Sequence, residues 1–412
     1  MLSLEDARAR VVDAIRPTPD GEVVAVAEAA GRYLAEGPVA RVGSPAFDNS
    51  AMDGFALRAG DLGEGGGELP VAFTVAAGDD PAPLPAGACA RIMTGAPVPP
   101  GADAVVMQEK VEAAGDRARF DRRPPPGDNI RRAGEDVTPG AELAAAGERV
   151  SPALISVLAT AGVAEVRVRR RPRVLVLATG SELRDPGQPL GPGQIHDSNR
   201  AALAAALREL GAEVHDGGCV PDDPEALRAA FDKAAGFDLV VTSGGVSVGE
   251  FDQVRQVLEE RGEIGFWKAA VKPGKPFAFG RLGNAWFFGV PGNPVSALVT
   301  FDQFVRPAVI RWMGGRHAPI RIPAVAGADF QREATSRTEF LRARLHAEDG
   351  RLLATPLTRQ GSGMIGGLSR AHGFIVVAAG SHGFGAGEPV TVEPTSEWCR
   401  FGEPQSRGEN EL

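Results

Sequence analysis

The stretch Thr242-Ser243-Gly244-Gly245-Val246-Ser247-Val248-Gly249 follows a short, mostly apolar run, Phe237 to Val241, rich in β-branched residues. Such a run reads as a buried strand. Its carboxyl end carries two hydroxyls and two glycines. Glycine lets the backbone approach an anion closely, and inward-turned N–H groups make a nest for phosphate. In an open α/β sheet, ligands sit outside the carboxyl ends of the strands. A plain strand-to-helix turn would look the same in isolation, so the reading depends on the surrounding chain.

Outward from this stretch the pattern is α/β. Strands are expected at Val174–Ala178, Glu213–Val220, Leu239–Val241 and Trp286–Val290. Helices are expected at Ser198–Leu210, Pro224–Ala235, Asp252–Glu260 and Pro294–Trp312. Strands alternating with helices of this length imply a doubly wound parallel sheet with helices on both faces. Two more loops then leave the same edge. Thr179-Gly180-Ser181-Glu182-Leu183 follows the first strand, and Pro291-Gly292-Asn293-Pro294 follows the last. Asn293 stands as N-cap and Pro294 as first helical residue, so the helix N-terminus is expected to face the cleft. Three such loops on one edge favour a phosphate-bearing ligand.

Lys268, Lys272 and Lys275 lie in FWKAAVKPGKPFAFG, where Pro273-Gly274 and Pro276 make a stiff turn. Lysine binds phosphate as a point charge. Glu182, Asp197, Asp222, Asp223 and Asp252 gather on the same loops, with Asp197 and Asp223 best placed as helix caps. Carboxylates beside phosphate nests suit a hard divalent cation, most simply Mg²⁺. Gly361-Ser362-Gly363-Met364-Ile365-Gly366 matches a dinucleotide-binding spacing, but no βαβ unit surrounds it.

The 412 residues exceed what one core holds. A helical N-terminal domain is expected over 1–42 with 138–170, and Glu22 to Leu34 reads as its second short helix. A β-rich insertion with long Gly/Pro loops covers 43–137, the α/β domain 171–318, and a C-terminal β-barrel-like domain 319–402. A polar, disordered tail is expected at 403–412. The formal charge of −9, without a basic block, argues against nucleic acid. No apolar stretch reaches the roughly 18 residues of a membrane span, and the N-terminus lacks a secretory pattern. Cys89, Cys219 and Cys399 are far apart and read as ordinary thiols of a reducing, cytoplasmic compartment.

DNSAMDGFA, RIMTGAPVPPGADAVVMQE, RRAGED, TGSEL, QIHDSNR, TSGGVSVGEFD, VKPGKPFAFG and GVPGNPVSA occur in this order. Together they resemble the molybdopterin molybdenumtransferase family, whose animal relative is the C-terminal domain of gephyrin, over residues 1–400. The resemblance implies insertion of molybdate into adenylylated molybdopterin, with Mg²⁺ and release of AMP. It implies a homodimer whose cleft joins the α/β domain of one subunit to the insertion of the other. It implies catalytic roles for Glu182, Asp222, Asp252, Lys268, Lys272 and Asp53, with Glu182 and Asp252 toward the metal. Substrate contacts are implied for Thr94, Asp136, Thr179, Gly180, Ser181, Ser243, Gly244, Gly245, Ser247, Pro291, Gly292, Asn293, Pro294 and Ser362. The partners implied are a molybdopterin adenylyltransferase and downstream molybdenum cofactor proteins. Phe55 stands where tyrosine is usual, Phe251 and Gln253 flank Asp252 where alanine and tyrosine are commoner, and Ser181 replaces an alternative aspartate.

Two other functions fit parts of the chain. An adenylyltransferase resembles the α/β domain standing alone, but the single TSGG copy here is embedded among other domains. A gephyrin-like dimeric scaffold would not need Glu182, Asp252, Lys268 and Lys272. If the lysines face an anion, their charges should lack a protein carboxylate; the opposing reading is an ion pair with Glu263 or Glu250.

Overall fold

The computed structural model describes residues 1–245, 253–395 and 399. They form two compact units, Met1–Gly21 with Arg169–Leu412, and Glu22–Val168.

The first unit holds a six-stranded sheet in the order Glu213–Val220, Arg173–Thr179, Leu239–Ser243, Ala285–Val290, Pro276–Leu282 and Gly262–Lys268. The first four strands are parallel; the last two form an antiparallel pair at one edge. The central strands are apolar on both faces because both are covered. Leu175, Leu177, Val240 and Phe287 pack with Leu227 and Phe231 of the helix Pro224–Asp232 and with Val257 and Leu258 of the helix Gln253–Arg261. On the other face Phe288 meets Phe277, which stacks on Phe304 at 4.6 Å.

Pro294–Trp312, expected as one helix, is helical over Pro294–Thr300 and Arg306–Trp312, with a π turn at Phe301–Val305 between them. Pro307 explains the break. It has no N–H, and its ring excludes an α-helical carbonyl four residues back. That carbonyl, of Gln303, accepts from Arg8 Nε at 3.2 Å instead.

A closed five-stranded barrel completes this unit. Thr338–Glu348 pairs with Arg351–Pro356, then Ile322–Ala326, Pro389–Pro394 and Gly373–Val377, which returns to Thr338–Glu348. Leu341, Ala343, Leu345, Ile375 and Val392 fill it. The two-residue strand Val271–Lys272 joins its edge, parallel to Thr338 and Glu339.

In the second unit Glu22 to Leu34 is not a helix. Gly21–Ala25 is a strand paired with Glu165–Arg169, followed by a single 3₁₀ turn at Val26–Glu28. Adjacent β-branched residues, Val23 and Val24, resist helix and suit a pleated surface. Val26, Leu34, Val150, Leu154, Leu158 and Val168 make one core there. The helix Pro152–Thr160 is capped by Ser151 Oγ, which accepts from Leu154 N at 3.1 Å. A six-stranded sheet spanning Gly54–Leu57 to Arg117–Phe120 carries two further cores, around Phe55 and Phe120 on one side and Ile92 and Val105 on the other. All three cysteines are free thiols, and burial pushes Cys89 up to about 11.

Phe287 is fully buried and edge-on to Phe231 at 6.1 Å. Phe287→Ala is expected to cost about 3–5 kcal/mol. A drop in the urea midpoint of the α/β transition, followed by circular dichroism, checks this; an unchanged midpoint would contradict the packing.

Candidate functional site

The carboxyl ends of Arg173–Thr179, Leu239–Ser243 and Ala285–Val290 lie side by side, with Ala178 opposite Ser243 and Ser243 opposite Val290. Neighbouring strands are about 4.8 Å apart, so the three loops share one rim. Thr179 Oγ1 donates to the Ser243 carbonyl at 3.4 Å. Asn199, buried at the start of the next helix, donates from Nδ2 to Ser243 Oγ at 2.7 Å and to the Gly292 carbonyl at 2.6 Å. One amide therefore clasps two of the loops.

Gly244 and Gly245 have φ of +93° and +65°. A Cβ at Gly244 would fall 2.5 Å from the Thr179 carbonyl, and one at Gly245 2.5 Å from a methyl of Val254. Only glycine satisfies both the left-handed backbone and that approach. The N–H of Gly244 is not free for an anion, as the strand-end reading supposed; it donates to the Val290 carbonyl at 3.0 Å. Ser247 and Asp252 lie outside the described residues.

Asn293 is the N-cap of the helix begun by Pro294, but its side chain makes no capping bond. The Ser362 carbonyl takes the N–H of Val295 at 3.1 Å instead. The glycine spacing at 361–366 is thus part of this rim and not a dinucleotide loop. Arg342 holds that loop. Its guanidinium, fully buried, donates to the carbonyls of Met364, Arg359 and Gly361, the last two at 2.7 and 3.1 Å.

Glu182 and Asp222 are exposed on the rim. Ser181 Oγ accepts from Asp222 N at 3.1 Å, joining the two loops. A Cβ at Gly180 would fall 2.6 Å from Glu182 Oε2, so the carboxylate folds over that glycine. Behind Glu182, Leu183–Arg184 pairs with Ile195–His196. Arg200 anchors this flap from beneath. Its guanidinium meets Asp197 at 2.9 Å and also Asp185 and Asp216. Asp197 further accepts from Asn199 N and Arg200 N, and Asp223 caps the helix Pro224–Asp232 through Ala226 N at 2.8 Å. Among the described residues no three His, Cys, Asp or Glu side chains form a metal-holding group.

The lysine loop reaches the same edge. Gly262–Lys268 runs antiparallel to Pro276–Leu282, which runs antiparallel to Ala285–Val290. Lys268 therefore ends its strand on the side where Val290 ends. The turn between the lysines packs on the helix after Pro294: a Cβ at Gly274 would fall 2.6 Å from Thr300 Oγ1. Lys268 is exposed. Lys272 is not without a carboxylate, as an anion-facing lysine was expected to be. Its Nζ lies 2.8 Å from Glu339 Oε1. Glu263 is excluded as that partner, because it stands at the far end of the strand, about 17 Å from Lys268 at the rise of a β-strand; Glu250 lies outside the described residues.

In the second unit Asp53 and Thr94 come together. Thr94 N and Oγ1 each donate to Asp53 Oδ1 at 2.7 Å. These two donors, the backbone one foremost, hold the Asp53 carboxyl below its ordinary range. Asp136 is exposed on a separate loop, whose neighbours Arg132 and Ala133 donate to Asp48 at 2.6 and 2.8 Å.

Three family profiles match the chain in succession: the MoeA N-terminal region (domain I and II) over residues 2–162, a probable molybdopterin binding domain over 175–311, and the MoeA C-terminal region (domain IV) over 323–395. The molybdopterin molybdenumtransferase of Haemophilus influenzae is 42% identical over 400 residues, covering 96% of this chain and 98% of that protein. The chain belongs to the molybdopterin molybdenumtransferase family. The enzyme of that name from Bacillus subtilis is 38% identical, covering 92% and 91%. A crystal structure of the molybdopterin biosynthesis MoeA protein from Pyrococcus horikoshii, 34% identical, matches the fold with a TM-score of 0.80 over 96% of this chain and 99% of that one. Of the motifs that carried the resemblance, TGSEL, QIHDSNR, TSGGVSVGEFD, VKPGKPFAFG and GVPGNPVSA belong to the first unit, and DNSAMDGFA, RIMTGAPVPPGADAVVMQE and RRAGED to the second. Asn199, Arg200, Arg342 and Glu339 were not singled out from sequence. For Asn199 and Arg200 the signal was present, since both stand in QIHDSNR.

Asn199→Ala is expected to leave Ser243 Oγ and the Gly292 carbonyl without their donor and to cost about 1–3 kcal/mol. Thermal melting combined with amide exchange at Gly244 and Gly245 checks this; full protection at both glycines with a lowered melting point would place the loss elsewhere.

Proposed function

We propose that this transferase of molybdenum cofactor biosynthesis binds adenylylated molybdopterin along the rim and inserts molybdate with release of AMP. The observation that carries this is the convergence of three strand-end loops and the lysine loop on one edge of the sheet. Phosphate oxygens would meet the loop backbones and Lys268, which is exposed and reaches the rim. Molybdate, an oxyanion substrate, needs the same kind of donor, and Lys272 has one face toward solvent, 43% exposed. A covalent nucleophile is not required; positioning and fixed charge supply the rate.

Mg²⁺ takes one or two carboxylates and completes its shell with phosphate and water. Glu182 is the described carboxylate placed for that, with Asp252 a second from sequence. Mg²⁺, when bound, supplies Lewis-acid polarisation of the phosphoanhydride. Glu182 would hold that ion on the rim, and Asp222 extends the acidic side through its link to Ser181.

Asp53, Thr94 and Asp136 complete the site from the partner subunit of a homodimer in this proposal. Asp53 is held ionised by Thr94, so it arrives as a fixed negative charge. The substrate comes from a molybdopterin adenylyltransferase, and the product passes to downstream molybdenum cofactor proteins in the cytoplasm. No helix among the described residues is long and apolar enough to cross a membrane.

Glu182→Ala is expected to lower kcat about 100-fold or more while changing KM little, in the range for a lost electrostatic stabiliser. Turnover with adenylylated molybdopterin and molybdate across a Mg²⁺ series, reading AMP, checks this; equal turnover at every Mg²⁺ concentration would remove the metal role. Light scattering at micromolar concentration is expected to give twice the chain mass, and a monomer that turns over would remove the shared cleft.

A further inference from the structure

The carboxylate of Glu339 lies on the barrel strand Thr338–Glu348, and it is only 5% exposed. A buried carboxylate needs a cation, and one is already present. Arg332 Nη1 lies 2.8 Å from Glu339 Oε2, and Arg332 is itself 6% exposed. Arg332 is further fixed by the carbonyls of Ser381 and Ala378, at 3.0 and 2.6 Å. Lys272 is then a second cation on a carboxylate that the first has neutralised. The triad carries a net charge of +1, and the excess sits on the half-exposed ammonium. Among the described residues no second carboxylate pairs with Lys272 or Arg332.

The backbone around Lys272 is held as firmly as its side chain. Thr338 N donates to the Ala270 carbonyl at 2.9 Å, and Ala270 N donates to the Leu2 carbonyl at 2.8 Å. Leu2 N donates to the Lys268 carbonyl and Ala269 N to the Lys275 carbonyl, both at 3.0 Å.

We propose that Glu339 is a positioning residue of the barrel that aims Lys272 at the substrate anion. The inference rests on the reading of Lys272 as an anion-facing group. Glu339 takes one N–H of the ammonium and fixes its direction. The remaining N–H donors face the rim, and the buried Arg332 keeps Glu339 from cancelling the positive charge there. The barrel thereby contributes to the rim without touching substrate at this point.

Glu339→Gln tests this in the full-length enzyme, with molybdate titrated against adenylylated molybdopterin turnover. The amide keeps the shape and removes a negative charge. The expected result is a kcat lower by about 10- to 100-fold, the scale for a misaimed group, with KM for molybdate and pterin substrate not raised. Lys272→Ala, which removes the aimed charge altogether, is expected to raise KM and to lower kcat at least as far, and Glu339→Gln added to it to lower kcat no further. A lowered melting temperature with unchanged kcat per folded enzyme would overturn the proposal and leave Glu339 purely structural. If Lys272→Ala alters neither constant, the anion-facing reading itself fails. If Lys272→Ala acts and Glu339→Gln does not, the positioning role alone fails. Should the Gln variant not fold, Glu339→Asp carries the test: charge is kept and reach shortened, so kcat should still fall, and wild-type kcat would overturn the proposal.

Discussion

The amide of Asn199 sets the spacing on which the candidate site depends. Its two N–H bonds span Ser243 Oγ and the Gly292 carbonyl, at the ends of adjacent parallel strands. Both partners are acceptors, and Asn199 is buried, so the bonds form in surroundings where an unpaired group would be costly. The loops above are therefore fixed relative to the sheet. Asp197 and Arg200, beside Asn199 in sequence, hold the flap behind Glu182 through the same turn. One short motif thus organises three sides of the rim.

The barrel makes a second contribution to the same edge. It lends Ser362 O to the helix begun by Pro294, and it takes Val271–Lys272 as an edge strand. Buried Arg342 and buried Glu339 are the polar centres of these two attachments. Arg342 is met by loop carbonyls through Nη1 and Nη2, its Nε finding no partner among the described residues, and Glu339 is met by two cations, so neither is a charge left alone in apolar surroundings.

The sequence reading went astray where local pattern and tertiary demand differ. Glu22 to Leu34 has the composition of a short helix, yet Val23 and Val24 take the extended form because Glu165–Arg169 offers a partner strand. Pro294–Trp312 has helical periodicity throughout, but Pro307 forces a π turn that periodicity cannot register. At Gly361–Gly366 the sequence reading held, since the nucleotide spacing was set aside for want of a βαβ unit; the loop's carbonyls receive Arg342 and Val295.

Sequence by itself determined the four parallel strands of the sheet, the three strand-end loops and their common edge, but not the antiparallel pair Gly262–Lys268 and Pro276–Leu282. Those features follow from apolar period, from the placement of Gly and Pro, and from ordered motifs, all of which are local along the chain. It also showed which carboxylates and lysines stand on those loops. Only the tertiary structure decided which of their hydrogen-bonding groups remain available. The Gly244 N–H goes to Val290, the Val295 N–H to Ser362, and Lys272 to Glu339, each partner coming from a strand or loop at least 45 residues away. Such pairings depend on which surfaces fold against each other, and a residue's spacing along the chain carries no record of that.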